Sequence, residues 1–453
     1  MAGIVGILQE GQHNLVASML DTISHRGNYK KTILDKNGAT IGIVWSHHED
    51  NGMKEKLEKE IFMDGPGFGH EVKVSRFNGR WQIYRDELGV APMYFTSDID
   101  WTLCFASEVK ALLQISTDVF EIPSGHEVNE MGTKKYFDLE MKPPLQKDPK
   151  AIAMELLNLL SLTVSRRITS DTMGSWLSGG LDSSAIAALA RPWIKKFHTF
   201  SGGLGCAPDL EYAKEMAKHL GAEHHEILIN FQEMLRVLPL VIYHLESFDP
   251  LLVRSSIINY LVAEEAAGYV EEVFSGEGGD EFFAGYDYLK KVDPILLDKE
   301  LVEIAGRLHN TALQRVDRCA AAHGLTAHVV FADPQLFDFT LRIPSNLKLK
   351  DGVEKWILRK AFEGTLPERV LWRTKAKFWE GSGVGTLLSD YANIKVSDSD
   401  FKTERILNNG WSLNTKEELF YYRIFIEYFG KLENLDWMGR TKDIMPHTEG
   451  FSR

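Results

Sequence analysis

Cysteine and long apolar segments are both scarce in this chain of 453 residues. The three cysteines, Cys104, Cys206 and Cys319, are widely separated, which excludes a paired metal site and an even disulfide framework. No run of about 18 apolar residues is present to cross a membrane, and the N-terminus lacks a charged segment followed by an apolar one. We therefore expect a cytoplasmic protein without a membrane partner, whose cysteines are buried structural residues.

Positive charge is not in excess either, because 51 Lys and Arg stand against 64 Asp and Glu, a net charge of −13. This balance argues against a broad nucleic-acid-binding surface, so we expect no nucleic-acid partner. A small basic pocket for the phosphates of a nucleotide is still compatible with it. The length of the chain predicts two or three domains.

The character of the sequence changes between its two halves. Residues 1–140 contain short strand-like segments separated by Gly, Asn and Asp, which predicts a β-rich domain. A polar, Pro-rich linker follows at residues 141–150. In residues 151–453, strand candidates alternate with amphipathic helices before the pattern becomes largely helical. This alternation predicts an α/β domain with a parallel sheet, whose ligands bind at the C-terminal ends of the strands.

Four strand candidates and one well-delimited helix mark the start of this second domain. The helix is expected over residues 209–220, with Asp209 as its N-cap and Gly221 as its C-cap. The strand candidates are residues 173–177, 197–200, 226–229 and 270–274.

The most informative segment, residues 178–184, reads Ser-Gly-Gly-Leu-Asp-Ser-Ser between the first of these strands and a helix. Glycines let the backbone approach an anion, and free N–H groups at a helix N-terminus point at it, which predicts phosphate binding. An acid beside phosphate makes sense if Mg²⁺ bridges the two, so Asp182 is a predicted metal ligand. The segment lacks the Lys of the common P-loop. The alternative is a turn that only caps the helix.

A second Gly-rich loop with an acid inside it follows the fourth strand candidate, at residues 275–286. Two parallel strands that end in such loops would bring Asp182 and Asp280 to one Mg²⁺ from opposite sides. Mg²⁺ needs few carboxylates when phosphate oxygens complete its shell. The alternative is a flexible turn with solvated acids.

Basic residues are dense between residues 355 and 378, which is unusual in an acidic protein. One interpretation is a helix with solvated Lys and Arg side chains. The other is that one cation reaches a pyrophosphate or an anionic intermediate and stabilises it electrostatically.

Both acidic loops belong to a longer series of short motifs. The others lie at residues 208–210, 217–221, 224–226, 241–244, 254–256, 371–375 and 416–423. Together they resemble the synthetase half of glutamine-dependent asparagine synthetases, in the ATP pyrophosphatase superfamily. The resemblance covers most of residues 150–432 and implies an adenine nucleotide α-hydrolase-like fold. It also implies that a substrate carboxylate attacks ATP, forming an acyl-adenylate and pyrophosphate, before an amine displaces AMP.

The resemblance assigns roles to individual residues, with ATP and Mg²⁺ as the implied cofactors. Lys375 would stabilise the adenylation transition state, and Asp182 and Asp280 would hold Mg²⁺. Leu177, Ser275 and Gly276 would line the adenosine site. The implied pyrophosphate-binding residues are Ser178, Gly179, Gly180, Asp182, Ser183 and Ser184.

The N-terminal domain resembles a reduced form of the family's Ntn-type glutaminase, through residues 3–7, 25–27, 85–95 and 106–108. The family has a nucleophilic cysteine directly before the first of these segments, and here that position is Ala2. A methyl group cannot attack an amide. The family's Asn-Gly-Glu glutamine-binding motif is missing too, so we interpret this domain as a vestigial glutaminase that supports structure or an interface.

A second departure concerns the amine step. Thr326 stands where the resemblance places a Glu thought to assist that step in asparagine synthetases, and β-lactam synthetases use a Tyr in that neighbourhood. Threonine is no general base near neutral pH, whereas the nearby His328 can be one. The alternative is that His328 replaces a structural Arg.

These features favour a ligase that joins a small-molecule carboxylate to ammonia or another amine without hydrolysing glutamine. One variant is β-lactam synthetase-like closure of an amide within a single substrate. A nucleotide-binding pseudoenzyme that regulates a partner is the non-catalytic alternative. Any homodimer is expected to form through the N-terminal domain.

Overall fold

The structure is a computed structural model that describes residues 2–98, 100–205, 207–374 and 386–441. Its N-terminal region is built from antiparallel strands in two sheets, with strand orders β2-β3-β1-β8-β7-β9 and β11-β10-β6-β5-β4. The strands are β1 Gly3–Ile7, β2 Lys30–Lys36, β3 Ala39–Trp45, β4 Phe62–Gly67, β5 His70–Phe77, β6 Arg80–Arg85, β7 Tyr94–Ser97, β8 Leu103–Ala106, β9 Phe120–Glu121, β10 His126–Asn129 and β11 Gly132–Lys135. The helices of this region are α1 His13–Thr22, α2 Met53–Glu58 and α3 Val109–Leu112.

The C-terminal region contains one parallel sheet with the strand order β14-β13-β12-β15-β16. Its strands are β12 Thr172–Trp176, β13 Lys196–Gly203, β14 Glu223–Leu228, β15 Glu272–Ser275 and β16 Thr326–Val329. The helices are α4 Pro149–Arg166, α5 Leu181–Ala190, α6 Pro208–Leu220, α7 Phe231–Leu245, α8 Pro250–Ala266, α9 Gly279–Phe283, α10 Leu297–Gly306, α11 Ala312–Ala321, α12 Pro334–Leu341, α13 Ser345–Lys348, α14 Trp356–Ala361, α15 Glu368–Leu371, α16 Leu387–Lys395, α17 Asp398–Glu404 and α18 Lys416–Phe429. The predicted fold class, a β-rich region followed by a parallel α/β sheet, is therefore confirmed.

The strand order creates one topological switch point. The chain runs outwards from β12 to β13 and β14, then returns to lay β15 against the other side of β12. Connections on opposite sides of the sheet leave a crevice where these two central strands end, which is where open α/β sheets bind ligands. Both acidic loops begin at this crevice, because residues 178–184 follow β12 and residues 275–286 follow β15.

One predicted cap is wrong. Helix α6 begins at Pro208, so Ala207 is its N-cap and Asp209 lies inside the first turn. Proline suits the first helical position because its fixed φ and missing N–H cost nothing there. The carboxylate of Asp209 is instead ion-paired with Arg373. The C-cap prediction is confirmed, since Gly221 ends the helix with a φ of 60°.

The two regions are joined by a buried network of charges. The guanidinium of Arg26, in the N-terminal region, contacts Glu108 at 3.0 Å and Asp317 of α11 at 2.9 Å. Arg318, also on α11, contacts Glu108 and Glu246, each at 2.9 Å. All five side chains are at most 4% exposed, so the network lies inside the molecule.

Within the described ranges, no helix combines the length and apolarity needed to cross a bilayer. Cys104 and Cys319 are buried and unpaired with one another, as predicted for structural cysteines, whereas Cys206 lies outside the described residues.

Candidate functional site

The two acidic loops pack directly against each other at the ends of β12 and β15. A Cβ added to Gly276 would lie 2.6 Å from the backbone nitrogen of Ser183. One added to Gly279 would lie 2.6 Å from Oδ1 of Asp182. Real Cβ atoms do not approach other atoms so closely, so any side chain here would push the loops apart. The glycines therefore bring both carboxylate-bearing segments to one place.

The first loop places the N-terminus of α5 at the crevice. Gly180 is the N-cap of α5, and the helix has no side-chain cap hydrogen bond there. The hydroxyl of Ser183 accepts from the backbone N–H of Ser178 at 3.2 Å and donates to the carbonyl of Gly180 at 3.2 Å, which holds the turn closed. Backbone N–H groups in the first turn of a helix are donors for an anion. Ser184 lies in that turn and is fully buried.

The adjoining residues assigned to the adenosine site are buried as well. Leu177 is 1% exposed and donates its backbone N–H to the carbonyl of Phe200 at 2.8 Å, which fixes the end of β12 beside β13. Ser275 is 3% exposed and ends β15, with Gly276 next to it. The structure thus brings Leu177, Ser275 and Gly276 to the same edge of the sheet as the first loop.

Asp182 and Asp280 both contact the ammonium of Lys355. Its ammonium contacts Oδ1 of Asp280 at 2.6 Å and also forms an ion pair with Oδ2 of Asp182. Lys355 is only 3% exposed and directly precedes α14, with a φ of 56°. Two carboxylates from the segments that follow two different strands therefore converge on one positive charge.

The donor set fits Mg²⁺ as well as it fits Lys355. The carboxylates of Asp182 and Asp280 offer hard oxygen ligands, and Mg²⁺ in nucleotide sites is held by one or two carboxylates with substrate phosphates and water. The neighbouring Glu281 does not belong to this set, because its carboxylate accepts a hydrogen bond from the hydroxyl of Tyr286 at 2.6 Å. Burial, together with the charge of Asp280, raises the pKa of Glu281 to about 7.

A second anchor ties the basic segment to the first loop. Arg373 donates to the carbonyl of Gly179 at 3.2 Å, pairs with Asp209 and stacks over Tyr212 at 4.0 Å. The guanidinium of Arg359 donates to the carbonyl of Arg373 at 3.1 Å. Lys375, which the sequence assigns to the adenylation step, lies outside the described residues. The described chain up to residue 374 is nevertheless fixed beside the phosphate loop.

The second loop also carries a carboxylate to which the sequence analysis gave no role. Glu277 lies between Ser275 and Asp280, and its side chain contacts the guanidinium of Arg315 on α11 at 2.5 Å. Both side chains are partly exposed, at 28% for Glu277 and 12% for Arg315. The sequence does show Glu277 as the first acid in the loop. Its partner, however, is 38 residues away, so the ion pair could not be predicted from the local pattern.

Thr326 and His328 lie on β16 and not in either acidic loop. Thr326 is the first residue of β16, about 10 Å along the strand from its C-terminal end, and its hydroxyl bonds His48 of the N-terminal region at 2.9 Å. The described contact of the Thr326 side chain is therefore with the N-terminal region. His328 is on the same sheet face and is 2% exposed, with its Nε2 3.0 Å from Glu272 at the start of β15.

The structure consequently gives His328 a structural partner and does not group it with the two loops. Burial alone would raise the pKa of Glu272, but the hydrogen bond and positive charge of His328 lower it to about 2. This pairing corresponds to the alternative in which His328 replaces a structural Arg.

We predict that His328→Asn lowers stability and leaves catalysis largely intact. Loss of a buried hydrogen bond to a charged group costs about 1.5–3 kcal/mol, so urea unfolding should shift by that amount. Turnover with saturating amine should stay within about threefold of the unchanged protein, because Nε2 of the imidazole is engaged by Glu272 at the start of β15. A variant that unfolds normally but releases pyrophosphate without forming amide would restore His328 as the base.

Comparisons with known proteins identify the family of the chain. The family described as asparagine synthase matches residues 155–296 and 296–438. Asparagine synthetase B [glutamine-hydrolyzing] of Escherichia coli is 35% identical over 375 residues, which cover 77% of this chain and 67% of that protein. Asparagine synthetase [glutamine-hydrolyzing] 2 of Arabidopsis thaliana is 32% identical over 379 residues, and the mouse asparagine synthetase is 31% identical over 442. The chain spans 64% of the Arabidopsis protein and 78% of the mouse protein.

Two solved structures are also similar. NMN synthetase from Francisella tularensis is 14% identical, with 64% of this chain and 98% of that chain covered and a TM-score of 0.30. An NH3-dependent NAD synthetase from Campylobacter jejuni is 20% identical over 31% of this chain and 61% of that chain, with a TM-score of 0.23. The fold assignment rests on the strand order and pairing described above. With the family match over both of its acidic loops, the chain belongs to the asparagine synthase family.

Proposed function

We propose that the protein is an asparagine synthetase-like, ATP-dependent ligase that activates a small-molecule carboxylate and converts it to an amide. The observation that carries this proposal is the convergence of Asp182, Asp280 and Lys355 beside the N-terminus of α5. A phosphate-binding helix end that faces two carboxylates suits a magnesium nucleotide. The division into residues 1–140, 141–150 and 151–453 is part of the proposal, with the chemistry in the last.

In the first step, a carboxylate oxygen of the substrate bonds to the α-phosphorus of ATP while the bond to the β-phosphate oxygen breaks. The products are an acyl-adenylate and pyrophosphate. Backbone N–H groups of α5 and the ammonium of Lys355 would stabilise the negative charge of the departing pyrophosphate, which the open start of the helix and the buried position of Lys355 support. Bound Mg²⁺ would neutralise charge on the phosphates from Asp182 and Asp280.

In the second step, the amine nitrogen attacks the acyl carbon, AMP leaves, and one proton must go to a base. Glu277 is the candidate that the geometry favours, because it projects from the second loop and is not part of the Asp182–Asp280–Lys355 cluster. The guanidinium of Arg315 fixes its orientation through their 2.5 Å contact. We assign proton acceptance to Glu277 in place of the predicted His328.

The nitrogen would arrive without glutamine hydrolysis. Ala2 is 1% exposed and packs among apolar residues of the N-terminal core. Its carbonyl accepts a hydrogen bond from Nε of Arg26 at 3.0 Å. No thiol is available at this position to attack a carboxamide, so we propose that the N-terminal region is a vestigial glutaminase.

The direct experiment measures pyrophosphate release with ATP, Mg²⁺ and a panel of carboxylic acids, each with ammonium, with glutamine or with no added nitrogen. We expect one class of acid to support release and amide formation with ammonium, and glutamine to give no more than the nitrogen-free background. Glutamine-dependent amide formation would contradict the proposed nitrogen source. Amide formation without any added amine would identify an intramolecular reaction, whereas ATP binding with no release from any acid would favour the pseudoenzyme.

We predict that Glu277→Gln uncouples the two steps. Removal of a positioned general base typically costs 10²–10⁴-fold, so amide formation should fall by about that factor. Pyrophosphate release in the first turnover should change by less than about tenfold, because Asp182, Asp280 and Lys355 are unchanged in this variant. A quenched-flow comparison of the two rates provides the measurement. Glu303→Gln is a suitable control, since Glu303 is paired with Arg307 on the surface of α10.

A further inference from the structure

A cluster of two imidazoles and a carboxylate lies in the parallel sheet, apart from the nucleotide loops. His198 lies on β13, and Glu223 and His225 lie on the neighbouring edge strand β14. The two strands are parallel, with His198 opposite Glu223 and Phe200 opposite His225. Alternation along each strand puts all three side chains on the same face of the sheet. The motif at residues 224–226 contributed to the family resemblance, but the proposed reaction does not use it.

The donor atoms of this cluster are already close together. Nδ1 of His198 lies 3.0 Å from Nε2 of His225 and 3.9 Å from Oε2 of Glu223. One ligand atom from each of the three residues lies within 4.8 Å of the others. Two nitrogens bound to one zinc ion at about 2.1 Å in a near-tetrahedral arrangement are about 3.4 Å apart. Small side-chain rotations would therefore bring the three atoms to ligand distances.

The surroundings hold the imidazoles in place and leave an opening. His198 is fully buried, and its ring packs near those of Phe200 and Tyr269, with ring centroids 6.2 and 5.5 Å away. The ring of His225 packs on Tyr269 at 4.1 Å. Glu223 is exposed at the edge of the sheet, so an ion can enter from solvent beside its carboxylate. Fixed imidazoles with one mobile carboxylate form a site that needs little rearrangement.

The cluster is separate from the proposed magnesium site. His198 is level with Gly174 of β12, four residues before the first loop begins at residue 178. The ligand chemistry differs as well, because two imidazoles favour a borderline transition metal and Mg²⁺ favours oxygen. An ion bound here would connect the edge strand β14 to β13.

We propose that His198, Glu223 and His225 bind one divalent transition-metal ion of the zinc class, with water completing its coordination. Two histidines and one glutamate are a known zinc donor set when an open position remains. The ion would act on the stability of the sheet and take no part in the reaction at the nucleotide loops. This proposal does not depend on the proposed function.

The test is a zinc titration of the full chain after chelator treatment and dialysis, followed by calorimetry in buffer without ATP. We expect one zinc ion per chain, little competition from a hundredfold excess of Mg²⁺, and a higher unfolding temperature in zinc. The variants His225→Ala and Glu223→Gln should each weaken zinc binding by at least tenfold. Cobalt absorption bands provide a second readout, since they report nitrogen ligands directly.

His224→Ala is the matched control. His224 neighbours both ligands but faces the other side of β14, where its ring nitrogens contact the hydroxyls of Thr199 at 3.0 Å and Ser201 at 3.2 Å. We expect this variant to bind zinc as the unchanged protein does. Absence of stoichiometric zinc binding, or equal affinity in His225→Ala, would overturn the proposal and leave the cluster as a hydrogen-bonded imidazole pair. Because His225 is only half-buried, its replacement avoids the folding risk of changing His198.

Discussion

Replacing Asp280 by asparagine is expected to lower ATP-dependent pyrophosphate release by about 10²–10³-fold, the usual effect of removing one electrostatic stabiliser from a preorganised site. Asparagine keeps the shape of the side chain but removes one of the two charges that converge on Lys355. Asp182 would then be the remaining carboxylate of the pair, and a site with one carboxylate in place of two should bind Mg²⁺ more weakly. The apparent affinity for Mg²⁺ should fall together with the rate, which a magnesium titration of the initial rate measures.

Asp287→Asn provides the matched control for this experiment. Asp287 lies just beyond the second loop, but its side chain is 77% exposed and pairs with Lys290. Its replacement should leave pyrophosphate release within about twofold, since exposed ion pairs contribute little. Equal losses in both variants would mean that the total negative charge near the second loop controls the rate, and not the pair of carboxylates that contacts Lys355. An Asp280→Asn protein that retains full activity would contradict the metal assignment itself.

Much of this site was accessible from the sequence because its parts are local. A buried strand, two glycines and a helix start are adjacent in residues 173–190, so the phosphate-binding turn follows from short-range rules. The same holds for the second loop. That β12 and β15 are neighbours comes from the strand order of the structure, since the alternation of strands and helices predicts a parallel sheet without specifying its order.

The remaining features depend on contacts between distant residues. Lys355 is 173 positions from Asp182, and within the basic segment nothing local distinguishes it from the solvated lysines. The pairing of Glu277 with Arg315 depends on where α11 packs, which periodicity does not specify. His328 was predicted from its chemistry alone, and its orientation towards Glu272 is fixed by the register of β15 and β16. Long-range register and helix packing are therefore the information that the sequence patterns lacked.

The ion pairs of the N-terminal region also depend on contacts between residues that are distant in the sequence. Its motifs predicted a former catalytic domain, but they did not predict that its charged residues would complete the interior of the C-terminal region. Glu108 accepts contacts from Arg26 and from Arg318 of α11, and Lys110 contacts Glu246 at 3.3 Å. Removal of the N-terminal region would leave Asp317, Arg318 and Glu246 without these partners. We infer that the N-terminal region stabilises the interior of the C-terminal region through these ion pairs.

Arg26→Met tests that role and is expected to destabilise the protein by about 3–5 kcal/mol, the typical cost of removing one partner from a buried ion pair. The side chain of Arg26 is fully buried and holds three carboxylates: Glu108, Asp317 and Asp64, the last at 3.2 Å. Methionine fills similar space but leaves these carboxylates without that cation. Urea unfolding at neutral pH measures the loss.

The control for that measurement is Lys31→Met, which breaks an ion pair with Asp21 in which both side chains are more than half exposed. Such a pair contributes between 0 and about 1 kcal/mol, so the control should unfold almost as the unchanged protein does. A small effect in both variants would mean that apolar contacts hold the two regions together. The buried ion pairs at their junction would then contribute little to the free energy of unfolding. A large effect confined to Arg26→Met, with ammonium-dependent turnover intact at low urea, would establish that the N-terminal region acts by stabilising the fold.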